Sequence, residues 1–221
     1  GIDSRANMGT TTLQLACKHD NFKAANSLLR HGANVNSTDH LGENALHHAL
    51  DLKDNKEVIN LLLSNGIDIN AQNDRGTTVL QLACQYNNFE NAKTFLDNGS
   101  HINMTDNDKD TALHYAFYNE YENDCWSEAL IKLLIDYGID VNAQNKTGTT
   151  ALHIACQNAN WRLTEILVKN KASVDIKDSD DENALHCALR SGIYDNIFEL
   201  LIAKSFDVDA ADKYGTTPLK L

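Results

Sequence analysis

The apolar positions of the chain fall into short helical stripes that recur along its length. Leu46 and Ala49 mark one stripe; Val58, Ile59, Leu62 and Leu63 mark another soon after it. Spacings of three and four residues predict two short amphipathic helices in succession. Gly66 follows, where a left-handed residue would end the second helix. Gly32, Gly99 and Gly138 stand at the same place in other units. Lys171 and Ser205 replace glycine in two units, so those helix ends are expected to be less well terminated. Each first helix is preceded by a side chain able to cap it: Thr11, Thr78, Thr111, Thr150 and Thr217, or Asn44 and Asn183.

The stripes belong to an internal repeat. GTTTLQLAC (Gly9–Cys17), GENALHHAL (Gly42–Leu50), GTTVLQLAC (Gly76–Cys84), KDTALHYAF (Lys109–Phe117), GTTALHIAC (Gly148–Cys156) and DENALHCAL (Asp181–Leu189) align, and GTTPLKL closes the chain at Gly215–Leu221. The anchoring leucines Leu13, Leu46, Leu80, Leu113, Leu152, Leu185 and Leu219 lie 33, 34, 33, 39, 33 and 34 residues apart. A second landmark reads LLRHGANVN (Leu28–Asn36), LLSNGIDIN (Leu62–Asn70), FLDNGSHIN (Phe95–Asn103) and LIDYGIDVN (Leu134–Asn142), with weaker copies at Leu167–Asp175 and Leu201–Asp209.

These motifs resemble the ankyrin repeat family, whose signature stands here as TALHYA (Thr111–Ala116) and TALHIA (Thr150–Ala155). The resemblance implies an all-α fold, an ankyrin-repeat solenoid of stacked helix-turn-helix units with short hairpin-like fingers. It divides residues 1–221, as a single array, into repeats of about 6–38, 39–72, 73–105, 106–144, 145–177 and 178–211, with a partial unit at 212–221. One helix pair cannot bury its apolar face alone, so neighbours must share a core.

The repeats alternate. Odd units carry Cys17, Cys84 or Cys156 and then Phe22, Phe89 or Trp161; even units carry Leu50, Phe117 or Leu189 instead of the cysteine. Thr11 to Thr78 and Thr150 to Thr217 are both 67 residues, the mark of a duplicated two-repeat block. The fourth repeat is longer, with extra residues around Asn119–Ser127 (NEYENDCWS). Insertions in such arrays go into loops on one face. Tyr121 and Trp126 make this loop a candidate recognition site, against a plain surface insertion.

Composition narrows the function. Nineteen basic and 31 acidic residues give a net charge of −12, which repels phosphates and argues against nucleic acid. No apolar run approaches the length of a membrane span. The single proline, Pro218, suits many uninterrupted helices. Five cysteines cannot all pair within one molecule, and buried thiols point to a reducing, cytoplasmic setting. All five are expected to be free.

No catalytic chemistry is legible. His47, His114, His153 and His186 fill one slot in successive units, too far apart to share a metal, and no CxxC or HExxH spacing occurs. The resemblance implies that this histidine hydrogen-bonds within and between repeats. Cys125 lies beside Glu122 and Asp124, which would raise its pKa. The chain therefore reads as a non-enzyme with no cofactor and no metal.

What remains is a binding surface. The expected function is non-catalytic protein–protein interaction, with a protein or peptide, favourably a basic one, in the concave groove and the chain as a segment of a larger protein. An ankyrin array of a secreted effector or toxin from a parasite, endosymbiont or arthropod is the alternative. The resemblance implies contact through Leu41, Asp74, Arg75 and Asp108 on fingers, and through Tyr86, Tyr118, Asn119, Gln157 and Arg190 on first helices. Tyr86 and Tyr118 are expected to be at least half exposed, as anchors. Asn142, preceded by Asp140, Val141 and, eight residues before, Leu134, resembles the asparagine that an asparaginyl hydroxylase modifies. The plainer expectation is that each such Asn holds its own finger by side-chain hydrogen bonds.

Overall fold

The computed structural model describes residues 1–50, 55–118, 128–192, 196–205 and 207–220, and only the backbone of residues 7, 196, 197 and 219. Among them, twelve α-helices follow one another in pairs, without a β-strand. They are α1 (Thr12–Lys18) and α2 (Phe22–Arg30), α3 (Ala45–Ala49) and α4 (Lys56–Ser64), and α5 (Val79–Gln85) and α6 (Phe89–Asp97). Then come α7 (Ala112–Tyr115) and α8 (Glu128–Asp136), α9 (Ala151–Gln157) and α10 (Trp161–Lys169), and α11 (Ala184–Arg190) and α12 (Asn196–Lys204). The all-α repeat expected from the sequence is the fold observed.

The helices gather into two compact units, Gly1–Asn107 and Asp108–Leu221. In the first, α1 packs on α2 and α3, α2 on α4, α3 on α4 and α5, and α5 on α6. In the second, α7 packs on α8 and α9, α8 and α9 on α10, α9 on α11, and α10 and α11 on α12. Within each unit, helices thus touch their own partner, and most also touch the corresponding helix of the next repeat. Leu13, Leu46 and Leu80 in the first unit, and Leu113, Leu152 and Leu185 in the second, are buried. Each such leucine stabilises the fold by about 1.5–3 kcal/mol through apolar burial. Beside them sit Ala16, Cys17, Ala49, Ala83 and Cys84 in one unit, and Ala155, Cys156 and Ala188 in the other, all buried. These small side chains permit close helix approach. Leu219 lies outside the described side chains.

The caps form largely as the sequence indicates. Thr11, Thr78 and Thr150 accept the amide of Gln14, Gln81 and His153 on their hydroxyls, and Asn44 and Asn183 do the same with their carbonyls. At α7 the Thr111 hydroxyl is 2.9 Å from His114 Nδ1.

One expectation is corrected at the other helix end. Lys171 adopts the left-handed conformation (φ 71°) that glycine takes elsewhere. The amides of Lys171 and Ala172 then reach Val168 O and Leu167 O at 3.2 and 3.0 Å. Gly32 and Ala33 bond Leu29 O and Leu28 O in the same way. So α10 is terminated as fully as α2, at the cost of about 1–2 kcal/mol of left-handed strain.

Candidate functional site

The surface the sequence nominates is built on the fingers. Five tips are Asx turns, each closed by one side chain. Asp39 Oδ1 accepts the amides of Leu41 and Glu43 at 2.9 and 3.0 Å. Asn73 does so for Arg75 and Thr77, Asn145 for Thr147 and Thr149, Asp178 for Asp180 and Glu182, and Asp212 for Tyr214 and Thr216.

Within each unit, backbone hydrogen bonds join successive tips. Asp74 N–H donates to Leu41 O and Asn107 N–H to Arg75 O, both at 2.9 Å. In the second unit Lys146 N–H donates to Asp108 O (2.8 Å), Ser179 to Thr147 O (2.8 Å) and Lys213 to Asp180 O (3.0 Å). The contact is close enough to require glycine. A Cβ on Gly42 (φ 72°) would stand 2.7 Å from Asp74 Oδ1 and 2.9 Å from its amide nitrogen.

This geometry places Leu41, Asp74 and Arg75 in one row, with backbones engaged and side chains outward. Leu41 is 50% exposed, a large apolar side chain that the core does not use. Asp74 and Arg75 are exposed as well. In the second unit the exposed Asp108 is paired with Lys146 Nζ at 3.3 Å. Asp180 is likewise paired with Lys213, and Tyr214 beside it is 76% exposed.

The first-helix candidates are less free than expected. Tyr86 is 43% exposed and Tyr118 37%, so neither reaches one half. Tyr118 lies tilted against Tyr115, ring centroids 6.0 Å apart, and its hydroxyl donates to Asp110 at 3.1 Å. Arg190 extends over Glu182 and holds its carboxylate with two nitrogens, one at 3.1 Å. That hydrogen bond raises the Arg190 pKa above the ordinary arginine value, so its charge is already committed. Gln157 and Arg190 line one cleft of about 130 Å3 with Glu182, Cys187 and Ser191. The Gln157 amide reaches Cys187 Sγ at 3.7 Å. Tyr86 belongs to the first unit and Tyr118 to the second. Asn119, Tyr121 and Trp126, with Cys125, lie outside the described residues.

Beneath the tips, the repeated histidine links neighbouring repeats as the family resemblance implies. Thr150 N–H donates to His153 Nδ1 (3.2 Å), which leaves the ring proton on Nε2, donated to Glu182 O at 3.1 Å. His47 bridges Asn44 and Thr77, His114 bridges Thr111 and Thr149, and His186 bridges Asn183 and Thr216. Burial holds the pKa of His47 and of His153 below the ordinary 6.5. Gln14 replaces the ring in the first repeat: Oε1 accepts Thr11 N–H and Nε2 donates to Ser37 O and Glu43 O.

Asn142 serves a different joint, away from the tips. Its Oδ1 accepts Ser173 N–H (2.8 Å) and its Nδ2 donates to Lys171 O (3.1 Å). Asn36 clamps Asp68 and Gly66 in the same way, and Asn70 clamps His101 and Gly99. These side chains therefore hold the following repeat and not their own finger. The expectation was local because a sequence shows the turn residue but not what stacks against it.

The sequence reading also missed an alternation. The residue before each N-cap is Thr10, Glu43, Thr77, Asp110, Thr149, Glu182 and Thr216, acidic in every even repeat. The T/E/T/D/T/E/T pattern was there to be read. Among the described residues, Cys17, Cys84, Cys156 and Cys187 are free and buried. Burial pushes the thiols of Cys17, Cys156 and Cys187 up to about 12 and raises that of Cys84 as well, so all four are protonated and inert. Among the described residues no helix is long and apolar enough to cross a membrane.

Known proteins carry the same pattern. Residues 1–73 and 125–212 match the family model described as ankyrin repeats (3 copies), and residues 62–116 that of ankyrin repeats (many copies). The chain is 30% identical over 169 residues to the putative ankyrin repeat protein L371 of Acanthamoeba polyphaga mimivirus, covering 76% of this chain and 21% of the relative. It is 29% identical over 261 residues to transient receptor potential cation channel subfamily A member 1 of Homo sapiens (96% of this chain, 23% of the relative). It is 31% identical over 185 residues to the putative ankyrin repeat protein FPV034 of Fowlpox virus (84% and 41%). The chain thus spans less than half the length of each of these relatives.

Proposed function

The chain belongs to the ankyrin-repeat family, and we propose that it is a non-catalytic protein-interaction module whose finger tips and first-helix ends hold a protein or peptide partner. One observation carries this reading. Tip backbones are consumed in joining repeats, while tip side chains such as Leu41, Asp74 and Arg75 point outward with no part in the core. A half-exposed leucine beside a charged pair has the composition of a recognition patch: an apolar contact bordered by groups that set partner choice. Tyr86, at the end of α5, adds an aromatic anchor in the same unit.

The net charge of −12 favours a partner carrying Lys or Arg. Asp108 and Asp180 already have lysine partners. Asp74 forms no ion pair among the described residues, which makes it the tip carboxylate that a basic partner would meet. Asn142, half-buried, is the candidate for asparaginyl hydroxylation; tandem mass spectrometry of protein from a eukaryotic host tests this, and an unoxidised Asn142 leaves only its structural role.

The test of the interaction reading compares partners recovered by crosslinking in the native cell. The triple change Leu41→Ser, Arg75→Glu and Tyr86→Ala should lose them, while Arg30→Glu, on the second helix, should keep them. Circular dichroism melts verify that both proteins stay folded. Retention of every partner by the folded triple variant would move the binding surface elsewhere.

A further inference from the structure

Asp39, Glu43 and His48 meet beneath the second finger. His48 Nε2 lies 2.9 Å from Asp39 Oδ2 and 3.9 Å from Glu43 Oε2. One donor atom of each falls within 4.8 Å of the others. The Asp39 side chain is 3% exposed, that of His48 9% and that of Glu43 28%, so the cluster is walled on two sides and open on the third.

The repeat does not need this arrangement. The position of His48 holds Leu15, Leu82, Tyr115, Ile154 and Cys187 in the other repeats, and that of Glu43 holds threonine in the odd ones. In the other even repeats the aligned acids have partners of other kinds: Arg190 chelates Glu182, and Tyr118 and, from the next repeat, Asn145 donate to Asp110. In the second repeat the residue aligned with Arg190 is Asp51, an acid in the sequence. Two carboxylates and an imidazole thus share one pocket where the siblings place apolar, thiol or arginine groups.

We propose that Asp39, Glu43 and His48 form a binding site for a divalent transition-metal ion, of which zinc is the best fit. With His48 neutral, the donors carry two negative charges, which a dication cancels. An imidazole nitrogen between carboxylate oxygens suits zinc and its neighbours, while calcium and magnesium prefer oxygen alone. Zinc bonds nitrogen and oxygen at about 2.0–2.2 Å, so tetrahedral donors stand about 3.3 Å apart. His48 and Asp39 would open by a few tenths of an ångström, and Glu43, the most exposed of the three, would swing in. The Asp39 carboxylate is already aimed: its other oxygen is held by the Leu41 and Glu43 amides. Three protein ligands leave a fourth position for water, on the side of Glu43. Nine residues separate Asp39 from His48 on two elements, which is why no short motif announced the site.

Zinc chloride titrated calorimetrically into the reduced chain tests the proposal, with variants taken from the siblings: His48→Leu, Glu43→Thr and Asp39→Asn. Wild type should bind one zinc per chain at this site. Each variant should bind it at least tenfold more weakly, with its metal-free melting unchanged or raised. Cobalt should give the weak visible bands of nitrogen and oxygen ligation, without the intense near-ultraviolet absorption of thiolate. Equal affinity in wild type and all three variants, or thiolate absorption from cobalt in wild type, would overturn it and leave an internal ion pair only. If His48→Leu fails to fold, Glu43→Thr decides alone, since Thr77 and Thr149 fill its place in folded repeats.

Discussion

His153 offers a sharp test of how the repeats are joined. It is fully buried, accepts Thr150 N–H on Nδ1 and donates from Nε2 to Glu182 O of the next repeat. His153→Leu leaves a buried donor and a buried acceptor unpaired, each costing about 1–3 kcal/mol, so a loss of about 2–6 kcal/mol is expected. His153→Gln should lose under about 1 kcal/mol, because Gln14 makes both bonds in the first repeat. The two variants differ further with pH. Burial lowers the His153 pKa, so below about 6.5 the unfolded chain binds more protons than the folded one and stability falls with falling pH. The slope is at most about 1.4 kcal/mol per pH unit for one histidine. His47 contributes in the same direction. Urea titrations at several pH values between neutral and mildly acidic would show wild type weakening toward acid, and His153→Gln weakening less. The reasoning is refuted if Gln costs as much as Leu, or if the pH slope is the same with and without the imidazole.

Other outcomes follow from the same geometry. Leu113→Ala should cost about 2–5 kcal/mol in urea titration, while Lys93→Ala on an exposed helix face should cost under about 0.5 kcal/mol. Gly42→Ala should lower the melting temperature more than Gly66→Ala: both are left-handed, but only Gly42 faces the next tip, and Gly66 faces open space. In the folded protein Cys17, Cys84, Cys156 and Cys187 should resist alkylation at mildly alkaline pH, and urea should release all four to the reagent. Charge reversal at Asp74 should slow association with a basic partner, an effect that fades as salt is raised in stopped-flow mixing.

The fold was legible in the sequence because its determinants are local and repeated. The stripe of Leu46 and Ala49, the caps at Thr78 or Asn44 and the stops at Gly66 each act within a few residues. What the sequence hid lies between repeats. Asn142 reads as a turn residue until its carbonyl is seen accepting Ser173 N–H. Arg190 reads as a free cation until it is seen folded over Glu182, eight residues away. Tyr118 reads as an exposed anchor until its hydroxyl is found on Asp110. Side-chain reach across one or two elements decides each case, and linear spacing does not record it. Leu41, Asp74 and Arg75 are exposed because a tip side chain points away from the helices that form the core.

The backbone bonds between tips have a consequence for how such a chain changes over generations. Asp74 to Leu41, and Lys146 to Asp108, are joined by amide and carbonyl groups that every residue but proline supplies in full. A mutation at an outward tip position such as Leu41 or Arg75 therefore alters what the surface presents without loosening the joint beneath it, whereas Gly42 and the Asx side chains are held fixed. Folding and recognition can then drift separately, one constrained by leucines, histidines and the tip glycines and Asx residues, the other carried by the outward positions between them. A lineage can then duplicate a working pair of repeats and retune each copy, inheriting the joints ready-made.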